Sequence, residues 1–205
     1  MHRGDDLAPR LPVTACSTRI EGMGHHRLVA LVWVTGTSGS GKSSVCEVLK
    51  SRGHLAVDAD WEGYSHWVDR VTGDVVLHRP HPVPPGWLAR FGWEISVERV
   101  RALAADTRSG TVFLCGSVEN EAALWRYFDC VVCLVIDDDT LRHRLATRTT
   151  NEFGKLPGEL AAALARNREA EGQYRRLGAA VIDATRPLEV VVRDVEALAA
   201  EPAGD

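Results

Sequence analysis

The chain of 205 residues is 45% hydrophobic and sets 24 Lys and Arg against 28 Asp and Glu, a formal net charge of −4. That is apolar material for one sizeable core, so a single domain is expected. A mildly acidic chain has no generic attraction to nucleic acid or anionic lipid, no apolar run approaches the roughly eighteen residues of a membrane span, and the N-terminus lacks a secretory signal's apolar stretch. A cytoplasmic monomer or homodimer without nucleic-acid or membrane partners is the expectation. The five cysteines, Cys16, Cys46, Cys115, Cys130 and Cys133, are odd in number and scattered, unlike a disulfide framework.

Residues 1–26 are rich in Arg, Gly, Pro, Ser and Thr and show no period; they read as a disordered leader, with Met23 a candidate true start. The folded domain is expected over 27–201. It opens on an apolar strand at 28–34, buried on both faces. There follows Gly36-Thr37-Ser38-Gly39-Ser40-Gly41-Lys42-Ser43, the pattern G-x-x-x-x-G-K-[ST], then a helix over 43–52 that stops at Gly53. A strand, a glycine-rich turn and a helix N-terminus aim successive backbone N–H groups and the helix dipole at one point, which suits polyphosphate. The motif assigns Lys42 to the β- and γ-phosphates and the Ser43 hydroxyl to Mg²⁺, with Ser44 completing the nucleotide-binding set.

A second strand, 55–57, ends in Asp58-Ala59-Asp60. Two carboxylates one pleat apart at a phosphate site can share Mg²⁺ and a substrate hydroxyl, one of them serving as general base, although Asp60 could also simply cap the next segment. Residues 59–94 read as a long irregular insertion that grips the acceptor. It holds Trp61, Trp67, Trp87 and Trp93, which form either a stacking wall for a planar acceptor or a small apolar core stapling the insertion to the sheet. Within it, Arg79 to Gly86 is half proline and cannot be a helix.

A helix over 96–106 leads to a strand at 111–115 that ends in Cys115-Gly116-Ser117 rather than a carboxylate. Gly116 and Ser117 leave room for a substrate and offer backbone N–H groups, which favours a transferase over a water-activating motor. A short helical segment around 119–127 precedes strand 130–136, in which alternation sends Cys130 and Cys133 to opposite faces as buried hydrophobes. Asp137-Asp138-Asp139 imitates a metal-binding strand end but reads as the cap and first turn of a helix at 139–148. That helix carries Arg142, Arg144 and Arg148 and runs into a polar turn at 149–156. A mobile arginine-bearing segment over 142–156 would neutralise charge on a transferring phosphoryl group while excluding water. Helical spacing puts Arg144 and Arg148 on one face, and Arg148, bordering the turn, is the favoured cation. A helix over 157–177, a strand at 179–182 and a helix at 187–200 complete the chain. Asp183 and Thr185, in the loop Asp183-Ala184-Thr185-Arg186-Pro187 after the last strand, could lie beside the adenine, although the loop could equally be an ordinary connection with Pro187 at the first position of the next helix. Strands separated by helices mean right-handed crossovers and a five-stranded parallel sheet in a three-layer α/β/α sandwich, with ligands at the carboxyl ends of the strands.

This constellation resembles the nucleotide and shikimate-kinase-like P-loop kinases in the loop 36–43, the acids Asp58 and Asp60, the turn at Gly116, the lid near 142–155 and Ile182-Asp183-Ala184-Thr185. It is also similar to small bacterial proteins labelled as AAA-family ATPases or nucleoside kinases, which share a lid of the type Ala146-Thr147-Arg148-Thr149-Thr150-Asn151-Glu152-Phe153-Gly154-Lys155. The resemblance implies a P-loop NTPase fold of the nucleoside-monophosphate-kinase type with a lid, ATP and Mg²⁺ as cofactors, and a small-molecule acceptor. It implies that Asp58 helps hold Mg²⁺ while Asp60 binds the substrate hydroxyl. In shikimate kinases the glycine turn is a triple glycine; here it is Cys-Gly-Ser. The expected activity is transfer of the ATP γ-phosphoryl group to a hydroxylated or phosphorylated metabolite, nucleoside- or nucleotide-like, with Lys42, Asp60 and Arg148 catalytic. The alternatives are a regulatory NTPase switch and an ATP-binding module without turnover; no N-K-x-D guanine motif occurs.

Overall fold

The computed structural model describes residues 31–80, 83–105, 110–150 and 152–200. The leader over 1–26, the start of the first strand at 28–30, the Cys16 thiol, His81 and Pro82 of the proline-rich stretch, the end of the third helix at 106, and Asn151 of the lid lie outside the described residues.

Five strands form one all-parallel sheet: β1 (Leu31–Gly36), β2 (Leu55–Asp58), β6 (Val112–Cys115), β7 (Cys130–Val135) and β8 (Ala180–Asp183). Their order is β2-β6-β1-β7-β8, which puts β1 at the centre. β1 is buried along its whole length, as an unbroken apolar strand between two helical layers must be. It pairs with β6 from Leu31↔Val112 to Val34↔Cys115 and with β7 from Val32↔Cys130 to Gly36↔Leu134. The helices α1 (Lys42–Ser51), α3 (Val97–Ala105), α5 (Asp138–Thr147), α6 (Pro157–Arg176) and α7 (Leu188–Ala200) cover the sheet.

Two apolar clusters, one per face, hold the layers together. Val32 and Val34 point into one with Leu49, Phe113 and Val192, while Leu31 and Trp33 point into the other with Leu114, Phe128 and Tyr174. The same alternation separates Cys130 from Cys133. Trp33 is fully buried, stacks on Phe128 at 5.1 Å and donates its indole N–H to the Gly116 carbonyl at 2.9 Å, so the largest core side chain also satisfies its one polar atom.

Two expectations of local structure differ. The segment 119–127 is not one helix: α4 (Glu121–Leu124) passes into a 3₁₀ turn, Trp125–Tyr127. The insertion 59–94 is not irregular. It holds a three-stranded antiparallel sheet, β4-β3-β5, built from β3 (Ser65–Asp69), β4 (Val75–Val76) and β5 (Phe91–Ile95), with the short helix α2 (Trp87–Arg90). Trp67 stands directly opposite Trp93 in the β3–β5 ladder, and Trp87 packs edge-on to Trp67 at 4.7 Å. Strands of two to five residues carry too little periodicity to be seen in sequence; cross-strand aromatic pairing holds them.

Candidate active site

The site is built at the carboxyl end of β1. Gly36 has φ 138°, and a Cβ there would sit 2.4 Å from the Leu134 carbonyl oxygen of β7, so the turn out of the strand requires glycine. Gly41, at φ 104°, is the last residue before α1. Between them Thr37 and Ser40 are buried. The Thr37 hydroxyl donates to Asn167 Oδ1 at 2.9 Å, and Asn167 Nδ2 donates to the Ile136 carbonyl at 2.8 Å, which ties the loop to α6 and to the end of β7. Ser40 Oγ is buried with no hydrogen-bond partner among the described residues.

Lys42 folds back, its ammonium donating to the Gly36 and Thr37 carbonyls at 2.9 Å each. Burial pulls its pKa down, while the carboxylates of Asp60 and Asp58 push it back up. A desolvated cation held by carbonyl oxygens and nearby carboxylates has electrostatic reason to meet an anion.

Asp58 and Asp60 have different surroundings. Asp58 is buried, and its Oδ1 accepts the backbone N–H groups of Asp60 and Trp61 at 3.1 and 3.3 Å. Asp60 is exposed to the pocket, and its Oδ1 accepts the Trp93 indole N–H at 3.0 Å. The insertion's sheet therefore orients the more accessible carboxylate.

The three arginines of α5 part ways. Arg142 pairs with Asp139 at 2.8 Å on the surface. Arg144 lies under the loop, bonding the Ser40 carbonyl at 3.0 Å and the Ala184 carbonyl at 2.8 Å. Arg148 donates to Ser38 Oγ at 3.0 Å and to the Phe153 carbonyl, and burial lowers its pKa against the pull of Glu159 and Glu152. Asp137 caps α5, accepting the Thr140 N–H at 2.6 Å. At the end of β8, Asp183 Oδ1 accepts the N–H and hydroxyl of Thr185 at 2.9 and 2.6 Å.

These groups surround a pocket of about 480 Å³ lined by Ser38 to Val45, Asp60, Trp61, Ser117, Arg144, Thr147, Arg148, Thr150, Ala184, Arg186, Leu188 and Val191. Ala184 and Arg186 face it where Asp183 and Thr185 bond each other, and Asp58 stands behind Asp60. Gly116 offers the pocket no free N–H: its amide donates to the Val34 carbonyl at 3.0 Å, which leaves Ser117 as the contribution of that turn. Sequence reasoning passed over Asn167 and Arg186. The former had a signal, since it is a polar residue at helical spacing among the buried Ala163, Leu164, Ala170 and Tyr174; the latter lay within the loop read as able to border the adenine but was not singled out from it. Among the described residues no cluster of three His, Cys, Asp or Glu side chains could hold a metal ion.

A central parallel sheet, a phosphate loop at its switch point, a small insertion after the second strand and an arginine-bearing segment after the fourth define the P-loop kinase fold. A family profile described as "AAA domain" matches residues 32–172, and the chain belongs to that family. Among solved structures it is similar to the shikimate kinase from Acinetobacter baumannii in complex with shikimate, with 15% identity and TM-score 0.54 over 84% of this chain and 93% of that one. TT1252 from Thermus thermophilus aligns with 20% identity and TM-score 0.51 over 85% of this chain and 98% of that one. A gluconokinase from Sinorhizobium meliloti 1021 aligns at 21% identity and TM-score 0.48, over 85% and 93% of the two chains. No curated protein gives a significant match. Among the described residues no helix is long and apolar enough to cross a membrane.

Proposed function

We propose that the protein is a Mg²⁺-dependent kinase that transfers the γ-phosphoryl group of ATP to a small hydroxylated or phosphorylated metabolite, a nucleoside- or nucleotide-like acceptor being favoured. The observation that carries this reading is that one pocket unites the phosphate loop, an exposed carboxylate and a half-buried arginine of the lid: Lys42, Asp60 and Arg148. Hydrolysis of a bound nucleotide needs a group that positions water; group transfer needs an acceptor cleft opposite the loop, and the insertion with Asp60 and Trp61 supplies one.

In this reading the loop that Gly36 and Thr37 lead into receives the phosphates on its amides from Ser38 to Ser44, Ser40 apart, whose amide is taken by the Thr37 carbonyl, and Lys42 exchanges its two carbonyl partners for phosphate oxygens. Arg144 shapes the floor of the loop, and the turn held by Asp183 and Thr185 presents Ala184 and Arg186 to the base. Ser43 and, through a water, the set-back Asp58 would hold Mg²⁺, an ion that keeps several waters and needs few protein ligands. Bound there, the ion would neutralise charge between the β- and γ-phosphates. Asp60 accepts the proton of the acceptor hydroxyl, and Arg148 leaves Ser38 to neutralise the group in flight.

The test is a coupled ADP-release assay over a panel of nucleosides, nucleotides, sugars and hydroxy acids. ADP release that depends on one class of acceptor supports the kinase. Release indifferent to every acceptor would make the protein an NTPase switch, and binding without release a module without turnover.

A further inference from the structure

The lid and the acceptor insertion are joined by a shielded ion pair with no place in the scheme above. Arg79 follows β4 in the insertion, and Glu159 lies in the first turn of α6, just after the lid. Arg79 Nη2 donates to Glu159 Oε1 at 2.9 Å, with side-chain exposures of only 27% and 13%. The other oxygen, Oε2, accepts the Gly154 N–H at 2.9 Å. Position 154 requires glycine, since its φ is 90° and a Cβ there would lie 2.8 Å from Leu145 Cδ1. One residue earlier, the Phe153 carbonyl accepts from Arg148, whose other nitrogen bonds Ser38 of the phosphate loop. In the opposite direction, the Arg79 guanidinium stands 5.9 Å from the Trp67 ring centre. Trp67 packs on Trp93 at 5.0 Å, and Trp93 bonds Asp60. One continuous chain of contacts thus runs from the phosphate loop through Arg148, Glu159 and Arg79 to Asp60.

We infer that Arg79 and Glu159 are positioning residues that couple the lid arginine to the acceptor-side carboxylate, so that nucleotide in the loop tightens the insertion around Asp60. The inference rests on the proposed nucleotide-binding reading. Two features give it a direction. Glu159 serves two guanidinium groups at once, bonding Arg79 and attracting Arg148 electrostatically. Further, Arg79 Nε and Arg148 Nε are both buried without a hydrogen-bond partner among the described residues, an expensive condition for a charged group. Arriving phosphates offer acceptors to Arg148. Once it turns to them, Glu159 is left to Arg79, whose spare Nε can complete a two-bond fork with the carboxylate. The same free energy acts in reverse: an insertion drawn taut by its acceptor releases Arg148 toward phosphate.

The experiment is hydrogen–deuterium exchange of the full chain with and without Mg²⁺ and a non-hydrolysable ATP analogue, read at the lid (149–156) and at strands 65–69 and 91–95. In the wild type, the analogue is expected to slow exchange about threefold or more in both regions. Arg79→Met keeps the stem over Trp67 but removes the charge; it should hold analogue affinity within about threefold and keep lid protection, while the strands lose their response. Arg79→Lys, which restores a charge but not a fork, should recover part of it. A cooperative melt for each variant separates lost coupling from lost folding. Strand protection that persists in Arg79→Met overturns the coupling, as does a wild-type lid that responds while the strands do not. If the wild type fails to bind the analogue at all, the nucleotide reading fails and the coupling with it.

Discussion

Lys42 rests on two carbonyl oxygens that any phosphate must displace, and it does so partly desolvated. Its pKa is drawn below the ordinary lysine value of 10.5, mainly by burial, so raising the pH removes its charge earlier than for a surface lysine. ATP-analogue affinity is therefore expected to decline with rising pH before the ordinary lysine value of 10.5 is reached, and titration by calorimetry should find the decline absent in Lys42→Met, whose affinity is low throughout. The two acids invite a second comparison. Asp60→Asn keeps the acceptor atom for Trp93 but loses the basic lone pair, so turnover with acceptor should fall by about two to four orders of magnitude with little change in ATP binding. Asp58→Asn keeps the oxygen that accepts from Asp60 and Trp61 but loses charge, and its defect should be partly rescued by Mg²⁺. Measuring kcat against Mg²⁺ concentration for both variants tests the assignment; rescue of Asp60→Asn alone would reverse it.

Helix α6 does more than close the sandwich. Its inward face carries Asn167, which braces the phosphate loop, and Tyr174, whose hydroxyl lies 3.2 Å from Thr35 Oγ1 and donates to the buried Glu121 of α4. Burial raises the Glu121 pKa above the ordinary 4.5, against the opposing pull of Tyr174 and Arg166. The ionised carboxylate is thus disfavoured in the fold: as pH rises from about 4.5 the unfolded chain loses this proton first, and stability falls until the folded pKa is passed. Glu121→Gln retains an acceptor for Tyr174 and removes the charge. Denaturant unfolding is expected to find it at least as stable as wild type at pH 7 and no more stable at pH 4; a large loss at pH 7 would mean that the pair with Arg166, at 3.6 Å, outweighs desolvation. Tyr174→Phe should cost about 1–3 kcal/mol at either pH, because it strips a partner from a buried acid.

The molecule as a whole joins a rigid parallel sheet to a small antiparallel one, and ligand should stabilise the assembly by mass action. An ATP analogue at a hundred times its Kd is worth about 2.7 kcal/mol, or roughly 5–10 °C in Tm for a chain of this size; calorimetry on wild type and Lys42→Ala checks this, and an equal shift in both would place binding outside the phosphate loop. At this scale the sequence was legible where a signal is local. The all-apolar strand ahead of Gly36, the cap at Asp137 and the five strand–helix alternations are written in consecutive residues, because backbone propensity and burial on both faces act over short spans. The insertion was not legible, since its strands are two to five residues long and exist through pairings such as Trp67 with Trp93, 26 positions apart in sequence. Nor could spacing say that Asp60 would face the pocket while Asp58 turned into its own loop, that Arg142 would spend itself on Asp139, or that the Gly116 amide would be taken by Val34. The residues by themselves determined a nucleotide-type phosphate loop on a parallel α/β sheet. Which carboxylate and which arginine meet there was decided by tertiary structure alone, because a side chain's direction depends on partners brought near by packing, and no local pattern encodes them.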